Sequence, residues 1–507
     1  PLIAETGGLN AMIVDSSALP EQVARDVVMS AFQSAGQRCS ALRVLFVQED
    51  VADKMLQMIC GAMEELNVGD PAVLSSDIGP VIDDEAKGLL DSHIKRMRGE
   101  AKLLKQIKPG PSSGRGSFVG PIAFELDSLA RLKREVFGPV LHVIRFPGEQ
   151  IGKVVDSINA TGYGLTHGIH TRVDETRDMI LGRMRAGNAY VNRNQIGAVV
   201  GVQPFGGEGL SGTGPKAGGP HYLLRFASEV VDDEAQPQTS ADADNENGEA
   251  PTIAGVSREQ LVRAVTEAKA AAPAWAARPV AERSALLDKA ATALEASAPA
   301  LGELDPDGAQ GIGQAAEALR FYAAQAEAEL AEPTVLPGPT GERNELSCPP
   351  RGLVACLAAA DSGFAALAAQ TGAALAAGNS VVLWHENGRV ASELQRLLHA
   401  AGVPKDVLGE LASGADATLK DLIEDQRVDA VALAGPHALA KALNRTLSEC
   451  DGAIRPLIPF ALEKHVGGAP GCPLAGSPAY LYRFVLERAL SIDTTASGGN
   501  ASLFTME

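Results

Sequence analysis

The chain has 507 residues, 45% of them apolar and 21% charged, a composition typical of a globular protein with two or more domains. Its 44 basic and 63 acidic residues give a net charge of −19, which argues against binding of nucleic acid or an anionic membrane surface. The longest apolar runs, such as 140–146, are far shorter than the ~20 residues that span a bilayer. We therefore expect no transmembrane segment and a cytoplasmic location. Because the sequence begins with Pro1, we expect it to be the C-terminal part of a longer protein.

Helical and strand patterns alternate through residues 1–231. Strands interleaved with helices predict an α/β domain with a largely parallel sheet. The helical stripes lie at 21–34, 51–66 and 174–185, and the strand-like runs at 44–47, 118–126 and 136–146.

The composition changes after residue 231. The segment 232–252 is acidic and contains neither basic nor aromatic residues, which predicts a flexible linker, with an acidic interaction segment as the alternative. Residues 253–507 are rich in alanine and alternate again between the two patterns. This second domain is predicted to have a doubly wound sheet of the nucleotide-binding type. Its helices are expected at 257–277, 279–297, 365–376 and 390–401, and its strands at 352–357, 380–384 and 428–433.

A carboxylate and a thiol near the start of the chain indicate thioester chemistry. Glu5 lies in the segment ETGG, and Cys39 lies in the small-residue segment GQRCS. A thiolate can attack a carbonyl carbon, and a carboxylate can activate the water that later releases the acyl group. The alternatives are a small buried cysteine and a carboxylate at a helix start or on the surface.

The remaining cysteines predict no further chemistry. They are scattered, without a CxxC pair or a His-rich segment, so neither a disulfide framework nor a metal site is expected. These residues are Cys60, Cys348, Cys356, Cys450 and Cys472.

Several segments of residues 1–226 together resemble the catalytic domain of the aldehyde dehydrogenase superfamily. They are ETGGLN at 5–10, GQRCSA at 36–41, EVFGPV at 135–140, GNAYVNR at 187–193 and QPFGG at 203–207. The loop 194–205 is similar to the one with which the glutamate-semialdehyde (1-pyrroline-5-carboxylate) dehydrogenase branch holds the carboxylate of its substrate. The segment 211–219 resembles the long-form bifunctional proline utilization A (PutA) family. The resemblance implies oxidation of glutamate semialdehyde to glutamate with NAD, the second step of proline catabolism.

The resemblance also implies a role for individual residues. Cys39 matches the nucleophile, and Glu5 matches the base that activates water. Thr6 and Gly7 match backbone that lines the nicotinamide, and Glu135 and Phe137 match the pair at the nicotinamide ribose; these last two could instead only shape a turn. The residues expected to contact the substrate are Ser40, Gly197, Ala198 and Phe205. Gly197 could instead be an ordinary loop glycine.

In that family, much of the dinucleotide-binding half precedes the ETGG segment, so we expect it upstream of this chain. The second domain resembles such a half, but WHEN at 384–387 replaces the expected lysine, and VALAGPH at 431–437 replaces the Gly-Ser motif. The resemblance therefore implies a degenerate domain that acts as a structural lid. An upstream proline dehydrogenase domain with FAD is also expected. A dehydrogenase for another aldehyde and a catalytically incomplete interaction fragment remain alternatives.

Overall fold

A computed structural model describes residues 2–226, 258–411, 419–460 and 478–495. The linker predicted at 232–252 lies outside these residues. The described chain forms two compact units, each containing one large sheet. The strands are β1 Ala11–Val14, β2 Val44–Gln48, β3 Lys102–Gln106, β4 Ile122–Leu126, β5 Val140–Phe146, β6 Tyr163–Gly164, β7 Thr166–His170, β8 Asn188–Val191, β9 Glu208–Gly209, β10 Thr334–Leu336, β11 Glu342–Ser347, β12 Leu353–Ala358, β13 Ser380–His385, β14 Leu408–Glu410, β15 Ala430–Ala434, β16 Leu457–Phe460 and β17 Arg488–Asp493.

The helices of both units lie between these strands in the sequence. They are α1 Pro20–Phe32, α2 Glu49–Glu64, α3 Asp84–Glu100, α4 Ile151–Asn159, α5 Asp174–Arg183, α6 Arg258–Ala276, α7 Val280–Leu301, α8 Ala309–Glu329, α9 Gly363–Ala376, α10 Gly388–Ala401, α11 Leu419–Glu424, α12 His437–Glu449 and α13 Pro478–Leu481.

The catalytic unit, as we call the unit that contains Cys39, comprises 2–222, 334–346 and 487–495. Its ten-stranded sheet has the order β10-β11-β17-β8-β7-β1-β2-β5-β4-β3. All strand pairs from β17 to β4 are parallel, as predicted for strands interleaved with helices. Strand β1 lies near the middle, and all four of its side chains are buried. The segments before and after β1 carry Glu5 and Cys39, so the best-buried part of the sheet supports both.

The second unit is also an α/β structure. Its parallel sheet has the order β14-β13-β12-β15-β16. Helix α9 packs against β12 and β13 on one side and against α8 on another. Nearly all of its side chains are buried, because its many alanines allow close approach on several faces. This arrangement agrees with the doubly wound type predicted from the sequence.

The sheet of the catalytic unit corrects one feature of the sequence interpretation. We assigned all of 253–507 to the second domain, yet β10, β11 and β17 extend the first sheet. Strand β17 pairs in parallel with β8, which lies about 300 residues earlier in the chain. The domain ranges 1–231 and 253–507 remain a prediction. The boundary between the two sheets does not coincide with the predicted linker, because strands from after the linker belong to the first sheet.

The turn between α1 and β2, which carries Cys39, is built around the buried side chain of Arg43. Its guanidinium donates to the carbonyl oxygens of Gly36, Arg38 and Gly138, at 2.7, 3.0 and 3.2 Å. It also pairs with the Glu135 carboxylate, with 2.9 Å between Nη2 and Oε1. A buried guanidinium is tolerated when its N–H groups find acceptors, and here they do.

The same turn has an unusual backbone. Ser34, Ala35 and Gly36 have φ values of 56°, 54° and 64°, in the left-handed region. This conformation costs non-glycine residues about 1–2 kcal/mol each. A side chain at position 36 would lie only 2.3 Å from the carbonyl oxygen of Gly138, so glycine is required there. The Arg43 hydrogen bonds to Gly36 and Gly138 offset part of this cost.

Replacement of Arg43 should therefore destabilise the catalytic unit strongly. Arg43→Met removes the ion pair with Glu135 and the hydrogen bonds to three carbonyl oxygens, of which those of Arg38 and Gly138 keep a backbone N–H partner. We expect a loss of about 3–5 kcal/mol in the free energy of unfolding. Chemical denaturation followed by circular dichroism measures this loss.

The matched control is Arg131→Met, because Arg131 forms an exposed ion pair with Asp127 at 2.6 Å. An exposed pair contributes at most about 1 kcal/mol. Equal stabilities of the two variants would contradict the central role of Arg43.

Candidate active site

The thiol of Cys39 is exposed, unlike that of a core cysteine. The carbonyl oxygen of Cys39 accepts a hydrogen bond of 2.6 Å from the side-chain amide of Asn10, just before β1. Desolvation by its surroundings raises the thiol pKa, whereas the backbone N–H of Ser40 acts in the opposite direction. The negative charges of Glu5 and Glu135 raise this pKa further. Because its pKa is raised, the accessible thiol needs a base to form the thiolate, although the Arg43 guanidinium also interacts with it electrostatically.

The carboxyl group of Glu5 is the second reactive group. Its backbone forms a β-bridge to Gly212, which fixes the ETGG segment against the glycine-rich loop 206–214. Burial raises the Glu5 pKa, while the charge of Lys216 and the backbone N–H of Gly207 act to lower it. A carboxyl group with a raised pKa is a better proton acceptor than an ordinary surface glutamate.

The structure brings Glu5 and Cys39 into one electrostatic environment. The charge of Glu5 acts on the thiol of Cys39, although the two residues lie on opposite sides of β1 in the sequence. Of the two carboxylates that influence the thiol, Glu135 is committed to Arg43. Glu5 is therefore the carboxylate that is available to exchange protons.

The segment 6–8 lies against the Glu135 carboxylate. The backbone N–H of Gly8 donates to Glu135 Oε2 at 3.1 Å. Gly7 has a φ of 119°, and a side chain there would come within 2.6 Å of the same oxygen. The hydroxyl of Thr6 instead donates to the carbonyl oxygen of Leu210 at 2.6 Å. The residues expected near the nicotinamide thus share one wall, whose conformation requires glycine at position 7.

Phe137 lies next to this wall and is largely exposed, at 47% of its surface. The Arg43 guanidinium stacks on its ring, with 5.2 Å between Cζ and the ring centroid. An exposed aromatic ring held in place by a cation is available for contact with a ligand.

The loop expected to hold the substrate is attached to the nucleophile turn through Gln195. The side chain of Gln195, which is fully buried, donates to the carbonyl oxygen of Ser40 at 3.2 Å, and its backbone N–H donates to Ser30 Oγ at 3.1 Å. Beyond it, Gly197 is exposed with a φ of 76°, and Ala198 is half-buried. Two backbone groups of the loop are thus open near a fixed turn, although the Ser40 side chain itself is buried.

Phe205 is half-buried and is held by reciprocal backbone hydrogen bonds with Ala217 of 3.0 and 2.8 Å. The neighbouring residues are attached to the sheet by Asn188 at the start of β8. Its amide donates to the carbonyl oxygen of Pro204 at 2.8 Å, and its Oδ1 accepts from the Gly206 N–H at 3.1 Å. The QPFGG segment is therefore a fixed part of the site.

Four polar residues that support the site were missed in the sequence: Asn10, Arg43, Gln195 and Lys216. All four are buried and bind mainly backbone oxygens. For Arg43 a signal existed, because a charge interrupts the apolar run ALRVLFV at 41–47. Lys216 lies in a glycine-rich loop, where a lysine is ordinarily exposed and no pattern indicates burial.

In the second unit, the chain's own carboxylates occupy the anion-binding position at the start of α9. The N–H of Phe364 donates to Asp305 at 2.6 Å, and the N–H of Ala360 donates to Glu386 at 3.0 Å. A pyrophosphate binds at free N–H groups of helix starts, so the start of α9 does not fit one.

The described residues contain no group of three or more metal-ligating side chains and no helix long and apolar enough to cross a membrane. Cys356 is buried, while Cys60, Cys348 and Cys450 are partly buried. Cys472 lies outside the part of the chain that the structure describes. None of the other four described thiols is as accessible as Cys39.

Sequence comparison places the chain among known proteins. It is 42% identical over 512 aligned positions to the bifunctional protein PutA of Escherichia coli (strain K12), covering 100% of the chain and 33% of that protein. Residues covering 44% of the chain are 38% identical to 43% of a 1-pyrroline-5-carboxylate dehydrogenase of Geobacillus thermodenitrificans (strain NG80-2). The chain thus spans about a third of the length of the PutA relatives that it matches.

A solved PutA structure from Corynebacterium freiburgense matches 98% of the chain and 40% of that protein, with a TM-score of 0.62 and 21% identity. This match confirms the fold. The model of the aldehyde dehydrogenase family matches residues 1–231 and 235–458. The resemblance found in the sequence is thereby confirmed, and the chain belongs to the aldehyde dehydrogenase family.

Proposed function

We propose that the chain carries the catalytic centre for NAD-dependent oxidation of glutamate semialdehyde to glutamate. The observation that supports this most directly is the exposed Cys39 thiol within the electrostatic influence of the Glu5 carboxyl group. A nucleophile and a base in one site are the two groups that oxidation through an acyl-enzyme requires.

The first role of these residues is attack on the aldehyde. The Cys39 sulfur forms a bond to the carbonyl carbon while the thiol loses its proton, and the electron pair of the C=O π bond moves to the carbonyl oxygen to give a thiohemiacetal anion. Glu5 is the proton acceptor that the geometry favours, because Glu135 is held by Arg43. Burial raises the Glu5 pKa, which makes this carboxylate a stronger proton acceptor than an ordinary surface glutamate.

A dinucleotide would meet this unit at the wall formed by Gly7, Glu135 and Phe137. The Glu135 carboxylate is fixed by Arg43 and by the Gly8 N–H, and the absence of a side chain at position 7 keeps the surface beside it clear. These features fit a ribose, whose hydroxyls are hydrogen-bond donors. When bound, the nicotinamide supplies the acceptor for the hydride of the aldehyde.

The second role of Glu5 is release of the product. Water attacks the thioester on Cys39, Glu5 accepts a proton from that water, and the C–S bond breaks to leave a carboxylate and the free thiol. The hydrogen bond from Gly207 orients Glu5 during this step. The raised pKa is useful here because a stronger base abstracts the water proton more readily.

For the substrate we propose an aldehyde that bears a carboxylate. Ser40, Gly197 and Ala198 offer a hydroxyl and backbone N–H groups, and Gln195 fixes their loop to the turn of the nucleophile. Phe205 supplies an apolar surface for the methylene groups of the substrate. The name of the Geobacillus relative, 1-pyrroline-5-carboxylate dehydrogenase, supports the same class of substrate.

We further propose that the chain functions as part of a cytoplasmic bifunctional protein. The PutA relatives are about three times as long as the matched region, which leaves room for an FAD-dependent proline dehydrogenase and for the rest of the NAD site. The second unit then serves as a structural lid rather than as a second cofactor site. Its helix start, already capped by Asp305 and Glu386, supports this role.

An activated ester tests the reactive pair without any hydride acceptor. p-Nitrophenyl acetate should acylate Cys39 in a burst, followed by slower hydrolysis that depends on Glu5. Cys39→Ala should abolish the burst, and Glu5→Gln should slow both the acylation that gives the burst and, by ~10²–10⁴-fold, the hydrolysis that follows. Release of p-nitrophenolate is followed by its absorbance.

Cys60→Ala is the matched control, because Cys60 is a partly buried thiol on α2 outside the site. Its burst should equal that of the unchanged chain. A full burst in Cys39→Ala would disprove the assignment of the nucleophile.

The substrate class is tested at Gly197 in the intact parent protein. Gly197→Ala strains a backbone with φ of 76° and adds a methyl group where the carboxylate should bind. We expect kcat/KM for glutamate semialdehyde to fall by ~10-fold or more, about 1.4 kcal/mol, with little change for an uncharged aldehyde of equal length.

Gly201→Ala imposes the same backbone strain four residues further along the loop, where φ is also 76°. It should affect both aldehydes equally. Equal losses for both aldehydes in Gly197→Ala would argue against a carboxylate site in this loop.

The lid role predicts that the 507-residue chain binds NAD⁺ weakly or not at all. Calorimetric titration of the chain should give no heat of binding at concentrations at which the intact parent protein, the positive control, is saturated. Clear binding by the chain would contradict both the missing cofactor half and the degenerate second unit.

A further inference from the structure

Lys216 is a buried cation to which the proposed function assigns no role. Only 2% of its surface is exposed. Its ammonium donates to Asn188 Oδ1 at 3.0 Å and to the carbonyl oxygen of Gly206 at 2.5 Å. A buried lysine is costly unless its charge serves a purpose or is well compensated.

Gly206 separates Lys216 from Glu5. A methyl group added at Gly206 would come within 2.9 Å of Glu5 Oε1 and 3.4 Å of Lys216 Cα. The next residue, Gly207, supplies the N–H that bonds to Glu5. By holding the Gly206 carbonyl, Lys216 therefore fixes the corner of the chain that supports the base.

The charges around Lys216 are mixed. Burial lowers the Lys216 pKa to about 8, and the positive charge of Arg488 lowers it further. The negative charges of three carboxylates act to raise this pKa: Glu487, Glu208 and Glu5. Glu487 also accepts a 2.6 Å hydrogen bond from the Lys216 backbone N–H, and its other oxygen bonds to His221. A pKa near 8 leaves the ammonium mostly charged at neutral pH.

We infer that Lys216 is a positioning residue for Glu5: it fixes the Gly206–Gly207 corner and places a positive charge beside the carboxylate. This inference rests on the proposed function, in which Glu5 is the base. The positive charge favours the ionised carboxylate, so removing it should make Glu5 titrate at higher pH. Glu5 then becomes protonated, and inactive as a base, under conditions in which it is now ionised.

The test is the pH profile of ester hydrolysis after the burst, measured with p-nitrophenyl acetate on the 507-residue chain. Lys216→Met removes the charge and the donor, whereas Lys216→Gln removes the charge but keeps a donor. Both variants should hydrolyse the ester more slowly at acid pH and reach the original rate at alkaline pH. The acid limb, the part of the pH profile in which the rate rises as Glu5 ionises, thus shifts to higher pH. The exposed residue Lys153 provides the control Lys153→Met, which should leave the profile unchanged.

Glu487→Gln keeps hydrogen-bonding groups near Lys216 and His221 but removes a compensating negative charge. The less compensated ammonium should shift the acid limb to lower pH, opposite to the Lys216 variants. The pH profile of Glu487→Gln tests the inference even if both Lys216 variants fail to fold. Thermal unfolding shows whether they fold.

A purely structural lysine would lower the rate by one factor at every pH and would leave the limb unmoved. If the Lys216 variants fold and the acid limb of the pH profile does not move, the inference is wrong, although Glu5 can still be the base. If the Lys216 variants do not fold, an unmoved acid limb in Glu487→Gln has the same meaning. Failure of the proposed function looks different: the unchanged chain would then show no burst, or Glu5→Gln would hydrolyse the ester at the full rate.

Discussion

The buried guanidinium of Arg43 is the constraint on which the catalytic unit depends. It joins the left-handed turn before Cys39 to the turn that contains Glu135 and Gly138, two segments about 100 residues apart in the chain. Without it, the carbonyl oxygen of the buried residue Gly36 and the Oε1 atom of Glu135 would lose their hydrogen-bond partner. The strained backbone at 34–36 is tolerated because this network determines its conformation. The position of the nucleophile is therefore a consequence of packing and hydrogen bonding behind it.

The sequence predicted the fold class well because the signals for it are local. Helix α1 shows the reason: Val23, Val27 and Ala31 recur at helical spacing and are all buried, and Pro20 begins the helix where its missing N–H costs nothing. Local signals do not, in contrast, show which strands are neighbours within a sheet. The residues of β17 form a short strand that could join any parallel sheet, and no local feature shows that β8 is its partner. Because this information is not local, the sequence did not indicate that β17 joins the first sheet.

The candidate site shows the same division. Glu5 and Cys39 were predicted because each lies in a short segment with a recognisable pattern of small residues. Asn10 and Gln195 were not, because what they hold is the backbone of the nucleophile turn, from 29 and 155 residues away in the chain. A backbone carbonyl is the same group in every residue, so the sequence carries no mark of which one is bound. Residues that position a reactive group are therefore harder to predict than the reactive group itself.

Each carboxylate of the site has a cation of a type that suits its task. Glu135 is paired with an arginine, whose guanidinium keeps its charge in proteins, and this suits a carboxylate that only has to stay in place. In the proposed function Glu5 gains and loses a proton, and its cation is a lysine whose pKa burial lowers to about 8. Because Glu5 is also held only by a backbone N–H and a bridge to Gly212, a proton can move onto it without breaking an ion pair. A guanidinium bonded directly to Glu5 would hold it ionised and weaken it as a base, so we infer that the placement of the lysine behind Gly206 is what keeps Glu5 reactive.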